Sequence, residues 1–143
     1  MANMITDNKE QVRDKTVLLF SGGMDSLMIN HIKQPDVLLN ISMNSNYDRT
    51  ERATFDSIGI DESKLINMDG VIDLGRFERD DAIIPNRNAH LILLASHYGE
   101  TILLGSVSGD RSYDKDERFY FHMENLLDHM WQGQHWTEER KFE

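Results

Sequence analysis

Six consecutive residues, Ser21-Gly22-Gly23-Met24-Asp25-Ser26, gather the groups in this chain best suited to hold a phosphate. They follow the apolar run Thr16 to Phe20 and precede a helix-forming stretch, so the spacing predicts a turn between a buried strand and a helix start. At such a turn backbone N–H groups converge, and the helix dipole adds about half a positive charge. Ser21 and Ser26 add hydroxyl donors, and Gly22 and Gly23 permit the close backbone approach a phosphate needs. Asp25 can cap the helix or help hold a magnesium ion. The turn lacks the lysine of a Walker loop, and no G-x-G-x-x-G stands at a strand end, so neither of those phosphate motifs applies. Taken alone, Ser-Gly-Gly is also what a plain strand-to-helix turn with a serine cap would carry.

The elements that must position this turn follow from the pattern of apolar residues. Thr16 to Phe20 reads as a strand covered on both faces. A helix is expected from about Asp25 to His31, with Leu27, Met28 and Ile32 as its apolar side and Pro35 stopping it. Val37 to Met43 reads as a second strand, Arg49 to Ile58 as a weaker helix closed by Gly59, and Lys64 to Met68 as a third strand. Residues 69 to 87 read as an irregular crossing segment, long enough to be functional. Asn88 is the expected N-cap of the best-marked helix, in which Leu91, Leu94, Ala95 and Tyr98 recur at helical spacing before Gly99. Thr101 to Leu104 reads as a fourth strand and Gly105 to Asp116 as a polar loop. Phe119, Met123, Leu126, Leu127 and Met130 mark a last amphipathic helix.

Strands alternating with helices predict an α/β fold, a doubly wound parallel sheet with helices on both faces and ligands beyond the carboxyl ends of the strands. The loops 21 to 26 and 105 to 116 would share that edge. Three regions are expected: a flexible lead-in over 1 to 15, the core domain over 16 to 131, and a polar tail over 132 to 143 with Trp136 its obvious anchor.

Composition narrows the chemistry. The chain has 143 residues, 39% hydrophobic and 28% charged, a balance that suits one globular domain. No apolar run approaches the ~20 residues of a spanning helix and the polar N-terminus is no signal peptide, so a cytoplasmic protein is expected. There is no cysteine, which excludes disulfides, thiolate-bound zinc, iron–sulfur clusters and a protein persulfide. A formal charge of −10 argues against a broad nucleic-acid footprint and favours a small substrate. Any nucleotide must then be held by local donors and a metal ion, against the global field.

The full string S-G-G-x-D-S after an apolar strand resembles the signature of the N-type ATP pyrophosphatases, the PP-loop family. The resemblance implies a loop that binds the pyrophosphate portion of ATP with Mg2+, and adenylation of a carboxylate or carbonyl oxygen that a nucleophile then displaces. Ile84-Pro85-Asn86-Arg87-Asn88 looks like the P-x-R-N stretch of the 7-cyano-7-deazaguanine synthases. Gly105, Asp110, Ser112, Tyr113 and Asp114, with Phe119 or Phe121, look like their G-x(4)-D-x-S-G-Y-x-D segment and the helix after it. Tyr47 and Arg49, with Ala53 beyond, resemble a worn Y-G-Q-R element. The likeness spans roughly residues 16 to 130.

By that resemblance the reaction is ATP-dependent activation of 7-carboxy-7-deazaguanine for attack by ammonia, giving the amide and then the nitrile. It implies that Ser21, Gly22, Gly23, Met24, Asp25 and Ser26 bind pyrophosphate and metal, with backbone groups near Ser42 and Met43 meeting adenine and Gly105 beside the nucleotide. Arg87 and Asn88 would face the nucleotide or the substrate, and Tyr47, Asp110, Ser112, Tyr113 and Asp114 the substrate, with Ser21, Asp25, Arg87 and Asp110 in the catalytic roles. The chain departs from the family where it lacks the four cysteines of the structural zinc, the glycine between Ser112 and Tyr113, and the cysteine after Asp114. Three readings follow: a minimal enzyme whose missing wall comes from a second subunit or the tail around Trp131 and Trp136; a PP-loop amide ligase with another carboxylate; or a nucleotide-binding regulatory module without chemistry. A half-open pocket and an apolar last helix also invite a homo-oligomer.

Simpler readings exist for the same residues. Arg87 can be a surface residue before a capped helix, and Asp110, Asp114, Lys115 and Asp116 a solvated loop. His90, His97, His122 and His129 are expected to be ordinary, partly buried histidines rather than metal ligands.

Overall fold

The structure, a computed structural model, describes residues 14–21, 24–42, 61–70, 72–80, 84–105 and 115–131. The predicted helix over Arg49 to Ile58 and the ends of the chain at 1–13 and 132–143 lie outside them.

Four short strands form one all-parallel sheet: β1 (Thr16–Leu19), β2 (Val37–Ile41), β3 (Leu65–Met68) and β4 (Thr101–Leu103), in the order β3-β2-β1-β4. Among the described residues three α-helices accompany them, α1 (Met24–Lys33), α2 (Arg87–Ala95) and α3 (Glu117–Trp131). The fold is α/β. β1 is central, pairing Val17 with Val37 on one side and with Ile102 on the other. The two outer strands have fewer buried side chains than β1 and β2, as expected where only one neighbour covers the backbone.

The alternation of side chains along β1 feeds two apolar clusters. Leu18 and Phe20 join Leu38 against Leu27 and Ile29 of α1. Val17 joins Leu39 and Ile41 against Leu91 and Ala95 of α2. Val17 and Leu18 are fully buried, each contributing about 1.5–3 kcal/mol by leaving water. A third cluster seats α3 through Met123 and Leu127 on Ile92. The segment after β3 contributes a 3-10 turn at Gly75–Phe77 and two buried side chains, Leu74 and Ile84, to the Val17 cluster. Its apolar residues are too sparse to show a period, so the sequence reads it as irregular.

Several expected details differ. α1 begins at Met24 and runs to Lys33, and its apolar side is Leu27 with Ile29; Met28 and Ile32 point to solvent, 54% and 68% exposed. On α3, Leu126 is 44% exposed, because the helix rests on the line of Met123 and Leu127. The N-cap of α2 is Asn86, in the left-handed conformation at φ 63°, without a side-chain capping bond. Asn88, the expected cap, lies within the helix and is buried. Lys15, assigned to the lead-in, accepts backbone bonds from Glu100 and Thr101 that start the β1–β4 pairing, and the backbone N–H of Asp14 donates to the Glu100 carboxylate. Asp61, at the turn before β3, accepts hydrogen bonds from the Ser63 hydroxyl and backbone N–H, which hold its carboxyl below the ordinary range.

Gly99 matters for packing rather than for ending α2. A Cβ built there would lie 2.8 Å from both Cγ1 and the backbone nitrogen of Val17, inside contact distance of the central strand. Because one of those atoms is main chain, the neighbour cannot rotate aside. Gly99→Ala is therefore expected to destabilise by about 1–3 kcal/mol, as overpacked cores do. In a thermal melt this reads as a midpoint roughly 3–10 °C lower. An unchanged midpoint would mean that β1 and the turn at Gly99 are not in this contact.

Candidate functional site

Parallel strands place all their carboxyl ends on one edge, and the chemistry-bearing turn leaves β1 there. A cleft of about 300 Å3 opens along this edge. Its floor is the ends of the central strands: Leu19, Phe20 and Ser21 from β1, Leu39, Asn40 and Ile41 from β2, and Leu104 and Gly105 following β4. Met24, Asp25 and Ser26 enter from the start of α1, Arg87, Asn88 and Leu91 from α2, and Lys115 from the residues before α3.

Of the residues expected to act together, the structure brings Ser21, Met24, Asp25, Ser26, Arg87, Asn88 and Gly105 to this one cleft. Gly22, Gly23, Met43, Tyr47, Asp110, Ser112, Tyr113 and Asp114 lie outside the described residues. Ser42 is described but does not line the cleft; its backbone N–H donates to the Met68 carbonyl, which commits that donor to the sheet.

Ser26 is buried, and its hydroxyl lies 3.1 Å from that of Ser21 and accepts from the Ser21 backbone N–H at 3.3 Å. These contacts tie the two ends of the glycine turn together across five residues. Gly105 is close-packed for a related reason. A Cβ there would lie 3.1 Å from the Asp25 Cβ, so a residue without a side chain lets the chain leaving β4 pass against the start of α1.

Electrostatics distinguish this cleft. Two helices, of ten and nine residues, both open into it with their N-terminal turns, the positive ends of their dipoles. α2 has no acidic residue in its first turn and no side-chain cap, and instead carries Arg87 as its first residue. A cation there opposes the helix dipole, an arrangement that costs helix stability unless an anion is near. Lys115 supplies a second cation. Among the described residues neither Arg87 nor Lys115 makes an ion pair, although the chain carries a formal charge of −10. Asp25 is the cleft's one carboxylate among the described residues, and it is exposed. The arrangement suits a polyanion, with Asp25 placed to share a divalent cation bound to it.

A second depression of about 310 Å3 offers a contrast. It lies between β4 and α3, lined by Ile92, Ile102, Leu104, Met123 and Leu127, and its charged groups are Glu100 and Glu124. Two carboxylates repel an anion, so an anion suits the first cleft better than this one. Among the described residues no three His, Asp or Glu side chains form a metal cluster. His90, His97, His122 and His129 are exposed rather than partly buried, and His97 stacks edge-on against Trp131 at 6.3 Å.

Two residues of the cleft escaped sequence reasoning. Asn40 is buried, and its amide donates to the Phe20 carbonyl at 2.9 Å, bracing the last turn of chain before Ser21. Its signal was present: it is the one polar residue inside the apolar run Val37 to Ile41. Lys115 looked like part of a solvated charge run, and only the path of the chain into α3 brings it to the cleft.

No protein-family model matches this chain, and neither a curated protein nor a solved structure matches it.

Proposed function

We propose that this cleft binds the polyphosphate of ATP and that the chain is an ATP-dependent ligase. It would activate a small carboxylate as its adenylate and release pyrophosphate. The single observation that carries the reading is the convergence of two helix N-termini, the Ser21–Ser26 turn, Arg87 and Lys115 on one cleft of a strongly acidic protein.

In this reading a carboxylate oxygen of the substrate attacks the α-phosphorus of ATP, the bond to the bridging oxygen breaks, and pyrophosphate leaves. Ammonia then attacks the acyl carbon, loses a proton to solvent and expels AMP, giving an amide. Mg2+ would supply charge neutralisation on the phosphates, with Asp25 as its protein ligand. Ser21, Ser26 and the backbone donors of α1 orient the phosphate chain. Arg87 and Lys115 stabilise the charge that grows on the departing pyrophosphate. Asn88, buried beside Arg87, faces the acyl substrate. The sheet is read as doubly wound with helices on both faces, supported by the two clusters on opposite side-chain sets of β1. Synthesis in the cytoplasm suits such chemistry, since ATP and ammonia are available there.

The first substrate to test is 7-carboxy-7-deazaguanine, on the motifs at Pro85 to Asn88 and Gly105 to Asp114. Pyrophosphate release is measured with Mg-ATP, with and without that acid and ammonium. Release that depends on the acid is the expected result. Release with a different carboxylate would move the substrate but keep the chemistry. Nucleotide binding without release for any acid would make the chain a regulatory module, and no nucleotide binding would overturn the reading.

A further inference from the structure

The depression between β4 and α3 is suited to one particular kind of side chain. It holds about 310 Å3, and Ile92, Ile102, Leu104, Met123 and Leu127 make its wall apolar. Thr101 to Leu104 all border it, although successive side chains of a strand point to opposite faces, so it runs along the outer edge of β4. β4 is the last strand of the order β3-β2-β1-β4, and among the described residues it pairs with β1 alone. Tyr120 belongs to the same wall, and its hydroxyl oxygen is buried with no hydrogen-bond partner among the described residues. A buried tyrosine hydroxyl is normally paired. The wall therefore calls for an apolar group that carries a hydrogen-bond donor, and Glu100 and Glu124 disfavour an anionic one.

The chain that leaves α3 carries such a group. α3 ends at Trp131, whose ring meets that of His97 at 6.3 Å, and His97 lies three residues before Glu100 at the border of the depression. Residues 132–143 therefore start beside it. Trp136 follows five residues after Trp131, a reach of up to about 17 Å for extended chain. Measured back along α3 from Trp131, Leu127 lies at about 6 Å and Met123 at about 12 Å. A chain that reverses after the helix thus has the length to bring Trp136 alongside both, and Gly133 is the residue there that reverses at least steric cost. Indole is an apolar body with one N–H donor and no charge. The other long segments outside the described residues suit the place less. Residues 1–13 contain no aromatic side chain, 43–60 join β2 to β3 on the side of the sheet away from β4, and 106–114 run between Gly105 and Lys115, which both line the cleft.

We propose that Trp136 docks into this depression of its own chain and covers the outer edge of β4, its indole N–H donating to the Tyr120 hydroxyl oxygen. The effect reaches the cleft, because Leu104 borders both the cleft and the depression. The docked indole supports from its other side the strand end that floors the cleft. This holds whichever ligand the cleft takes.

Trp131→Phe leaves Trp136 as the one tryptophan, and the chain has no cysteine, so a single label can be placed at will. In that background a nitroxide on Glu124→Cys, beside the depression, is expected to quench the Trp136 emission strongly. A nitroxide on Asn125→Cys, exposed and about 100° further round the helix, should quench it weakly. Full denaturation should abolish the difference. With Trp131 retained, Trp136→Ala should lower the thermal midpoint by roughly 2–8 °C. Tyr120→Phe should lower the midpoint of the parent but not that of Trp136→Phe, which has no N–H to lose a partner. Equal quenching from positions 124 and 125 would overturn the proposal, as would a parental midpoint for Trp136→Ala. Quenching that appears only between molecules, when a labelled chain lacking both tryptophans is mixed with an unlabelled one, would assign the depression to the tail of a second copy and overturn it too.

Discussion

Arg87→Met is expected to lower the kcat/KM for ATP-dependent pyrophosphate release by about 10²–10³-fold, the usual loss when one preorganised charge donor is removed. The same substitution should leave the thermal midpoint unchanged or slightly raised. The two outcomes have one cause. Arg87 is the first residue of α2, where its charge faces the positive end of the helix dipole, and no described acid pairs with it. Removing it relieves the helix while depriving the cleft of a cation. A structural arginine would behave in the opposite way, losing stability on substitution and leaving the rate per folded molecule intact. Arg87→Lys should recover part of the loss, since it restores charge but not the planar fork that grips two phosphate oxygens at once. A wild-type rate for Arg87→Met would remove Arg87 from the site.

The second large effect is at Asn40. Asn40→Asp preserves size but replaces the amide that donates to the Phe20 carbonyl with a second acceptor, 2.9 Å from that oxygen. The side chain is only 6% exposed, so at neutral pH an unpaired charge would be buried there. The expected cost is about 3–5 kcal/mol, the range for an uncompensated buried ion. It should show a definite pH dependence. Burial raises the folded-state pKa of the introduced carboxyl above its unfolded value near ~3.9. The protonated acid can again donate to the Phe20 carbonyl. The variant should thus be closest to the parent at low pH and lose stability as pH rises through the raised pKa. Denaturation midpoints of parent and variant compared from pH 4 to 8 check this. A difference independent of pH would show that the position does not bury the charge. Above the raised pKa the variant should also bind nucleotide poorly, because its carboxylate joins the floor of the cleft proposed to hold the polyphosphate.

How far the sequence could be read differs between elements. Strands β1 and β2 were legible because burial on both faces writes an apolar run, broken within β2 by Asn40 alone. The helix α2 was legible from the spacing of Leu91 and Ala95. Caps and faces were harder. Asn88 has the chemistry of a cap but is drawn into the buried interior of α2, while Asn86 takes the left-handed turn before it. On α1 the apolar residues at regular helical spacing, Met24, Met28 and Ile32, are the exposed ones, while Leu27 and Ile29, two positions apart, flank buried Ser26, so spacing alone points to the wrong face. The choice fell to Leu27 and Ile29 because these meet Leu18, Phe20 and Leu38.

For the site, the residue types of the Ser21 to Ser26 turn, the local order of strand, glycines and helix, and the overall acidity were determined by the sequence itself. They suffice to predict an anion grip, because backbone donors at a strand-to-helix turn need only local chain geometry. Tertiary structure alone decided which distant groups join that turn at one cleft. The parallel order β3-β2-β1-β4 puts the ends of β1, β2 and β4 on one edge, and with them come Asn40, Arg87, Gly105 and Lys115. Their separations from Ser21, from 19 positions for Asn40 to 94 for Lys115, are closed by strand pairing and core packing, and no local pattern records those forces.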